Sequence, residues 1–247
     1  MNNDYILVIP ARLESTRLPQ KLLIEIEGKT IIERTYNSAL SALKDKDKVL
    51  IATDSEKIKE HCDSFGAYTV MTSKNCLTGT DRIAEVASKF EARQYINLQG
   101  DEPIFPPDQL SFFINQVIKN PSEVFTAITK ITDEDDFRNI SIPKMVFSNS
   151  NRLLYSSRAP IPSSKKNIFN EAYKHVCIYA FNKDHLTLFK NQVSKTRFEF
   201  QEDLEINRFL EMDVLVRCIK LEKSGKAVDT HRDLDVVRNH IKKFNLT

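Results

Sequence analysis

The chain has 247 residues, 41% of them apolar and 28% charged, with 36 Lys and Arg set against 34 Asp and Glu. So even a balance excludes roles that need a globally basic surface, and neither nucleic acid nor an anionic membrane is an expected partner. No apolar run approaches the ~20 residues of a bilayer-spanning helix, and Cys62, Cys76, Cys177 and Cys218 are scattered without a C-x-x-C pair.

The start, MNNDY, lacks a basic segment followed by an apolar one, so no signal peptide is expected. The reading is therefore a cytoplasmic protein with reduced thiols. Tyr5 to Ile9 (YILVI) is apolar and β-branched, ends at Pro10, and predicts a strand buried on both faces. An irregular loop follows, with Ser15, Thr16 and Pro19 as turn residues and three cations, Arg12, Arg17 and Lys21. Lys29 to Leu43 has helical spacing, Lys48 to Thr53 (KVLIAT) predicts a strand, and Asp54 and Ser55 are suitable caps for the helix SEKIKEHCDSF. Ala67 to Met71 predicts a strand, Thr80 to Phe90 a helix, and Gln94 to Leu98 a fourth strand entering QGDEP.

Repeated β-α-β units predict an α/β fold with a mainly parallel, doubly wound sheet flanked by helices. Right-handed crossovers place the strand ends and their loops on one edge. Near Val124 the pattern changes: FTAITKI, PKMVFSN, LLYSS and HVCIYAF read as strands, with NSNR as a turn. This predicts a small antiparallel extension over about 124–181 within a single domain, 1–247. Gln201 to Met212 reads as a helix, Val214 to Leu221 as a strand, and Thr230 to Phe244 as the last helix.

Open α/β sheets bind ligands at the carboxyl ends of their strands. Cations in the first such loop suit an anion, phosphate above all, although a solvated basic loop would look the same. Asp101 of QGDEP is a candidate Mg²⁺ ligand, because Mg²⁺ takes one or two carboxylates beside phosphate oxygens. Its neighbour Glu102 reads as structural. Asp229 of AVDT stands at a second acidic strand-to-helix junction and is a candidate metal ligand, unless this junction is an ordinary cap, with Asp229 or Thr230 capping the last helix. TGTDR (Thr78 to Arg82) opens a helix with a glycine that permits close backbone approach, as a ligand site or as a plain cap would. His175 and Tyr179 share one face of a strand, and Arg158 is placed either to clamp a carboxylate or to form an ion pair. The sequence has no G-x-x-x-x-G-K-[ST], G-x-G-x-x-G or H-E-x-x-H.

In order, ARLESTRLPQK, ATDS, TGTDR, NLQGDEP, YSSRAPIP, KHVCIYAF, DLEINR and AVDT resemble the 3-deoxy-manno-octulosonate cytidylyltransferase (CMP-KDO synthetase) family, from Ile6 to about Arg238. The resemblance implies a nucleotidyltransferase-type fold, usually a homodimer formed through the 124–181 region. It also implies CTP and an acidic 2-keto-3-deoxy sugar as substrates and Mg²⁺ as cofactor. The family's first loop, P-A-R-x-x-S-x-R-x-P-G-K, is matched by Ala11, Arg12, Ser15, Arg17 and Lys21, with Gln20 where glycine is usual. Thr78, Gly79 and Gln99 are implied around the cytidine, with Cys76 where histidine is frequent. Asp101 and Asp229 match the metal-binding aspartates, and with Arg12, Arg17 and Lys21 they form the implied catalytic set. Arg158, His175, Tyr179, Glu205 and Arg208 match the sugar side. There Ile206 replaces a glutamine and Cys177 a glycine, so Ile206 either lines the sugar pocket or packs its helix onto the sheet. Two rival expectations stand beside this one: a cytidylyltransferase for an amino-octulosonic or nonulosonic acid, and a non-catalytic nucleotide-sugar-binding protein.

Overall fold

Alternation along β1 (Asn3–Ala11) sets the layers, with Leu7, Ile9 and Ala11 pointing into one core and Ile6 and Val8 into the other. The structure, a computed structural model, describes residues 3–15 and 17–246. Thr16, one of the expected turn residues, lies outside them. A short hairpin follows, β2 (Glu25–Ile26) and β3 (Lys29–Thr30), and then α1 (Ile31–Leu43), β4 (Val49–Thr53) and α2 (Glu56–Ser64). Next come β5 (Tyr68–Met71), α3 (Gly79–Ala87), β6 (Ala92–Leu98) and α4 (Pro107–Val117). The second half holds β7 (Val124–Ile131), α5 (Glu134–Arg138), β8 (Lys144–Phe147), β9 (Leu153–Ser157) and β10 (Ala172–Phe181). The chain ends with α6 (Lys183–Lys190), α7 (Arg197–Glu202), α8 (Ile206–Glu211), β11 (Val216–Lys220) and α9 (His231–Phe244).

The main sheet runs β11-β7-β10-β6-β1-β4-β5. β5, β4, β1 and β6 are mutually parallel; β10 is antiparallel to both β6 and β7, and β11 is parallel to β7. Every strand of this row except β10 therefore points the same way, and the loops after β1, β6 and β11 leave from one edge. Helices α1, α2, α4 and α9 supply the core on one face, and α3, α6 and α8 supply it on the other.

One expectation is met and another changes. The antiparallel segment over 124–181 is built into the sheet, with β7 and β10 as interior strands of the main row. Only the β8–β9 hairpin extends from it, paired to β10 and turned through Asn151 at φ 61°. The helix expected over Gln201 to Met212 is divided, because Asp203 takes a left-handed conformation at φ 51° between α7 and α8.

That break turns Arg208 inward. Its side chain has no exposed surface, and its Nε and Nη2 each donate to Glu199, both at 2.6 Å. Asp81 lies 3.4 Å from Nη1, and the guanidinium stacks 3.7 Å from the Phe189 ring centroid. Arg208, implied by resemblance at the sugar, is thus committed to an internal ion pair that joins α3, α6, α7 and α8. Removing one partner of such a pair strands the other charge in the interior. Glu199→Gln should lower unfolding stability by ~3–5 kcal/mol in urea denaturation, whereas Glu199→Leu with Arg208→Met should recover most of it. An unchanged midpoint in Glu199→Gln would show that the pair does not hold these helices.

Candidate active site

Three loops meet at the shared edge. The first leaves β1 and forms a cleft wall of Arg12, Leu13, Glu14, Ser15, Pro19 and Gln20. Leu18 and Leu22 are buried and pin this loop to the core. Between them Gln20 adopts φ 52°, a conformation in which glycine is least costly, and its Oε1 accepts from Lys57 Nζ at 2.6 Å. The loop therefore keeps its backbone course without glycine. Ala11 is buried at its start, and Arg12 and Arg17 stand exposed.

The second and third loops carry Asp101 and Asp229, which are 128 positions apart yet joined by a backbone hydrogen bond, Val228 N to Asp101 O at 3.0 Å. Gly225 makes that approach possible, since a Cβ there would collide with the Glu102 carboxylate and lie 3.1 Å from Phe105 Cα. Lys21 Nζ then donates to Asp101 Oδ2 at 2.6 Å and to Asp229 Oδ1 at 2.9 Å, while Arg17 Nη2 sits 3.0 Å from Asp229 Oδ1. Burial pulls the Lys21 ammonium down, but Asp101 and Asp229 outweigh it and hold its pKa above the ordinary lysine value. Glu102 is buried, and its Oε2 has no hydrogen-bond partner among the described residues. Burial, with Asp101 adding, pushes its carboxyl up to about 8, so it is neutral at physiological pH and leaves the charge of this turn to Asp101.

Two carboxylate oxygens facing one cation, with further cations on the loop beside them, is a donor set that suits Mg²⁺. Among the described residues no group of three or more His, Cys, Asp or Glu could hold a metal, so further ligands would have to come from substrate or water.

At the cytidine-side positions, Thr78 caps α3 in a reciprocal box with Asp81: its Oγ1 accepts from Asp81 N at 3.3 Å, and its own N–H donates to Asp81 Oδ2 at 2.8 Å. Arg82 pairs with Asp54 at 3.0 Å and not with its neighbour Asp81. Gly79 lies so close to Gln99 that a Cβ would come within 3.3 Å of its Nε2. Glu205, implied at the sugar, reaches this same group, where its carboxylate accepts from Thr80 N at 3.1 Å and from Gln99 Nε2 at 3.2 Å. Burial raises its pKa, and the Thr80 N–H pulls it partly back. Cys76 stands by Glu85, and burial followed by that carboxylate pushes its thiol up to about 12, so it is no anionic substitute for a histidine's chemistry.

On the sugar side, His175 and Tyr179 come together edge-on at 5.4 Å, helped by a register shift in β10. Both are almost fully buried, and His175 Nε2 lies 3.2 Å from Thr126 Oγ1. Arg158 is half-buried, with Nε donating to Glu202 O at 2.7 Å and Nη1 to Ile140 O at 3.3 Å. Ile206 is 1% exposed within the apolar core and packs its helix onto the sheet. Two residues missed by the sequence reading support Arg158. Glu202 accepts from Tyr155, Ser157 and the Arg158 N–H, and Lys144, fully buried, donates to the carbonyls of Asn139, Ile142 and Arg158 at 2.7–2.9 Å. Burial, with Arg158 adding, lowers the Lys144 ammonium to about 8. Its one sequence signal is a lysine inside the apolar strand PKMVF.

A family model described as cytidylyltransferase matches residues 6–220. A relative from Francisella tularensis subsp. novicida, named 3-deoxy-manno-octulosonate cytidylyltransferase, is 40% identical over 94% of this chain and 96% of that protein. One of the same name from Elusimicrobium minutum is 38% identical over 97% of this chain and 98% of that protein. Among solved structures, a CMP:2-keto-3-deoxy-manno-octonic acid synthetase complexed with CTP superposes with a TM-score of 0.89 at 33% identity, covering 98% of this chain and 99% of that one. A cytidylyltransferase from Leptospira borgpetersenii shares the fold at a TM-score of 0.66 and 16% identity.

The buried imidazole gives the molecule a pH signature. Burial, then the Arg158 charge, lowers the His175 pKa from 6.5 to about 3. Between these values the unfolded chain takes up a proton that the folded one refuses, so stability is full above the unfolded pKa and falls as pH drops below it. At pH 5 the loss from this group should be ~2 kcal/mol. His175→Asn should flatten the decline in unfolding free energy between pH 7.5 and 5, and an identical slope in both proteins would contradict the assignment.

Proposed function

The chain belongs to the cytidylyltransferase family, and we propose that within it the protein transfers CMP from CTP to the anomeric 2-hydroxyl of 3-deoxy-manno-octulosonate, releasing pyrophosphate. The observation that carries this reading is the convergence of Asp101 and Asp229 on Lys21 and Arg17 at the edge where the first loop opens. The names of the relatives and of the CTP complex support the choice of substrates. The product would serve bacterial surface-glycan synthesis in the cytoplasm. We extend the reading to a homodimer, supported by exposed apolar side chains around β9 and α7, namely Leu154, Phe198 and Phe200.

Phosphoryl transfer depends on positioning and charge neutralisation, and no covalent nucleophile is required. The sugar's 2-hydroxyl attacks the α-phosphorus of CTP as the bond to the pyrophosphate oxygen breaks. Arg12 and Arg17, exposed on the first loop, neutralise charge on the departing pyrophosphate, and Ser15 lies on the same wall. Thr78, Gly79 and Gln99 orient the cytidine. Arg158, held by Glu202 and Lys144, faces the sugar carboxylate, while His175 and Tyr179 close the sugar side and Glu205 anchors Gln99 and the start of α3. Asp101 and Asp229 would hold Mg²⁺, which supplies Lewis-acid neutralisation at the reacting oxygens when bound.

Pyrophosphate release measured with CTP, Mg²⁺ and a panel of ulosonic acids tests the reading. Preference for an amino-octulosonic or nonulosonic acid would replace the substrate, and binding without release would favour a non-catalytic role. Asp101→Asn and Asp229→Asn each keep size but remove a ligand charge, so turnover should fall at least ~100-fold, or ~2.7 kcal/mol of transition-state stabilisation. Near-normal turnover in both would remove the metal assignment. Arg158→Ala should raise the KM for the sugar by ~10-fold or more while changing the CTP KM little. Equal shifts in both constants would place Arg158 away from the sugar.

A further inference from the structure

Lys21 binds the two aspartates that the proposed reaction assigns to a divalent ion. Its ammonium lies 2.6 Å from Asp101 Oδ2 and 2.9 Å from Asp229 Oδ1, and Arg17 adds a second cation 3.0 Å from that same Asp229 oxygen. Side-chain exposure is 12% for Lys21 against 26% for Asp101 and 38% for Asp229, so the ammonium is the innermost of the three charged groups. An ammonium that donates to both carboxylates stands between them where a shared cation would sit, so it neutralises part of their charge and repels a second cation there. We propose that Lys21 is the resident counter-ion of this carboxylate pair and is exchanged for a divalent cation when a nucleotide triphosphate draws the lysine away. The inference rests on the reading of Asp101 and Asp229 as metal ligands, and it concerns what holds them before substrate arrives.

The local structure suits such an exchange. The backbone at Lys21 is fixed by Lys21 N to Leu18 O at 3.1 Å and Ile24 N to Lys21 O at 3.1 Å, with Leu22 buried beside it. The four-carbon stem can therefore swing while the loop stays in place. Its alternative partner has to be a polyanion, because only a group with more charge than the carboxylate pair offers a net gain. A triphosphate also brings ligands that complete the coordination of the incoming ion. Nucleotide and ion then favour each other's binding to the same extent, as linkage requires. With Lys21 between them the carboxylates are kept together, and a divalent cation enters only by displacing the ammonium, with difficulty alone and readily beside a triphosphate. Lys21 thus has two partners in turn, the aspartates and then the phosphates.

The test is Mn²⁺ binding to the nucleotide-free protein, with free Mn²⁺ followed by electron paramagnetic resonance. Lys21→Met should bind one Mn²⁺ at least ~10-fold more tightly than the unsubstituted protein, Lys21→Arg should stay weak, and Lys21→Met with Asp101→Asn should lose the gain. Equal affinity in Lys21→Met and the unsubstituted protein, with cooperative melting retained, would overturn the exchange, as would a gain that survives Asp101→Asn. Should Lys21→Met not fold, the unsubstituted protein still answers. Amine acylation read by mass spectrometry should find Lys21 protected alone and reactive at saturating Mn²⁺, and persistent protection would overturn the proposal. Pyrophosphate release without any Mn²⁺ gain in Lys21→Met would leave the transfer reading intact and remove the exchange. No release with any ulosonic acid would remove the transfer reading and with it the role given to the exchange.

Discussion

The backbone hydrogen bond from Val228 to Asp101 is the constraint on which the rest of the site depends. It ties the loop after β11 to the loop after β6 and so holds two carboxylates together that would otherwise repel. Three further features make the pairing tolerable. Gly225 allows the chain to pass over Glu102 and Phe105. Burial, with Asp101 adding, raises the Glu102 pKa to about 8, which disfavours a third negative charge beside Asp101. Lys21 supplies the opposite charge between them. The sheet contributes direction, because β6 and β11 are parallel to β1 through the intervening β10 and β7, which brings Lys21 and both aspartates to one edge.

The parts of this arrangement that are local in sequence were legible before the structure. β1, β4 and β6 are short apolar runs with clear ends, and their parallel order follows from the helices between them. Thr78 and Thr230 were legible as cap-forming positions, and both form capping boxes. What the pattern could not reveal was pairing at long range. β7 and β10 were legible as an antiparallel segment, but not their places in the row, where β10 lies between β6 and β7 and β11 pairs with β7. Arg208 reads as a site cation because nothing local marks Glu199 and Asp81 as its partners. Lys144 is hidden for the same reason, since its three acceptors are backbone carbonyls, which carry no sequence signal.

The residues that the resemblance assigns to the sugar divide by their contacts. Arg158 lies in the loop after β9, and His175 and Tyr179 lie on β10, with Glu202 and Lys144 holding the Arg158 backbone and Thr126 beside His175. Glu205 lies one turn earlier than Arg208, at the junction where Gln99 and α3 meet. Ile206 is turned into the apolar cluster with Phe181, Phe189 and Phe209. A glutamine amide placed there would lose its hydrogen bonds to water. An apolar side chain at that place is therefore what the packing demands, and it says little about which hydroxyls the pocket reads.

Gln20 presents the opposite case, a departure from the family's glycine that the structure absorbs. A left-handed conformation costs a residue with a Cβ ~1–2 kcal/mol, and Gln20 adopts it at φ 52° all the same. Its side chain reaches Lys57 on α2, and the buried Leu18 and Leu22 hold the chain on either side. The contact with Lys57 is exposed and salt-screened, so it offsets only part of that cost. The remainder is met by the anchored leucines, which allow the loop no other course. Lys21, the next residue, is thereby fixed at its backbone by Leu18 and Ile24, and its side chain is directed at Asp101 and Asp229.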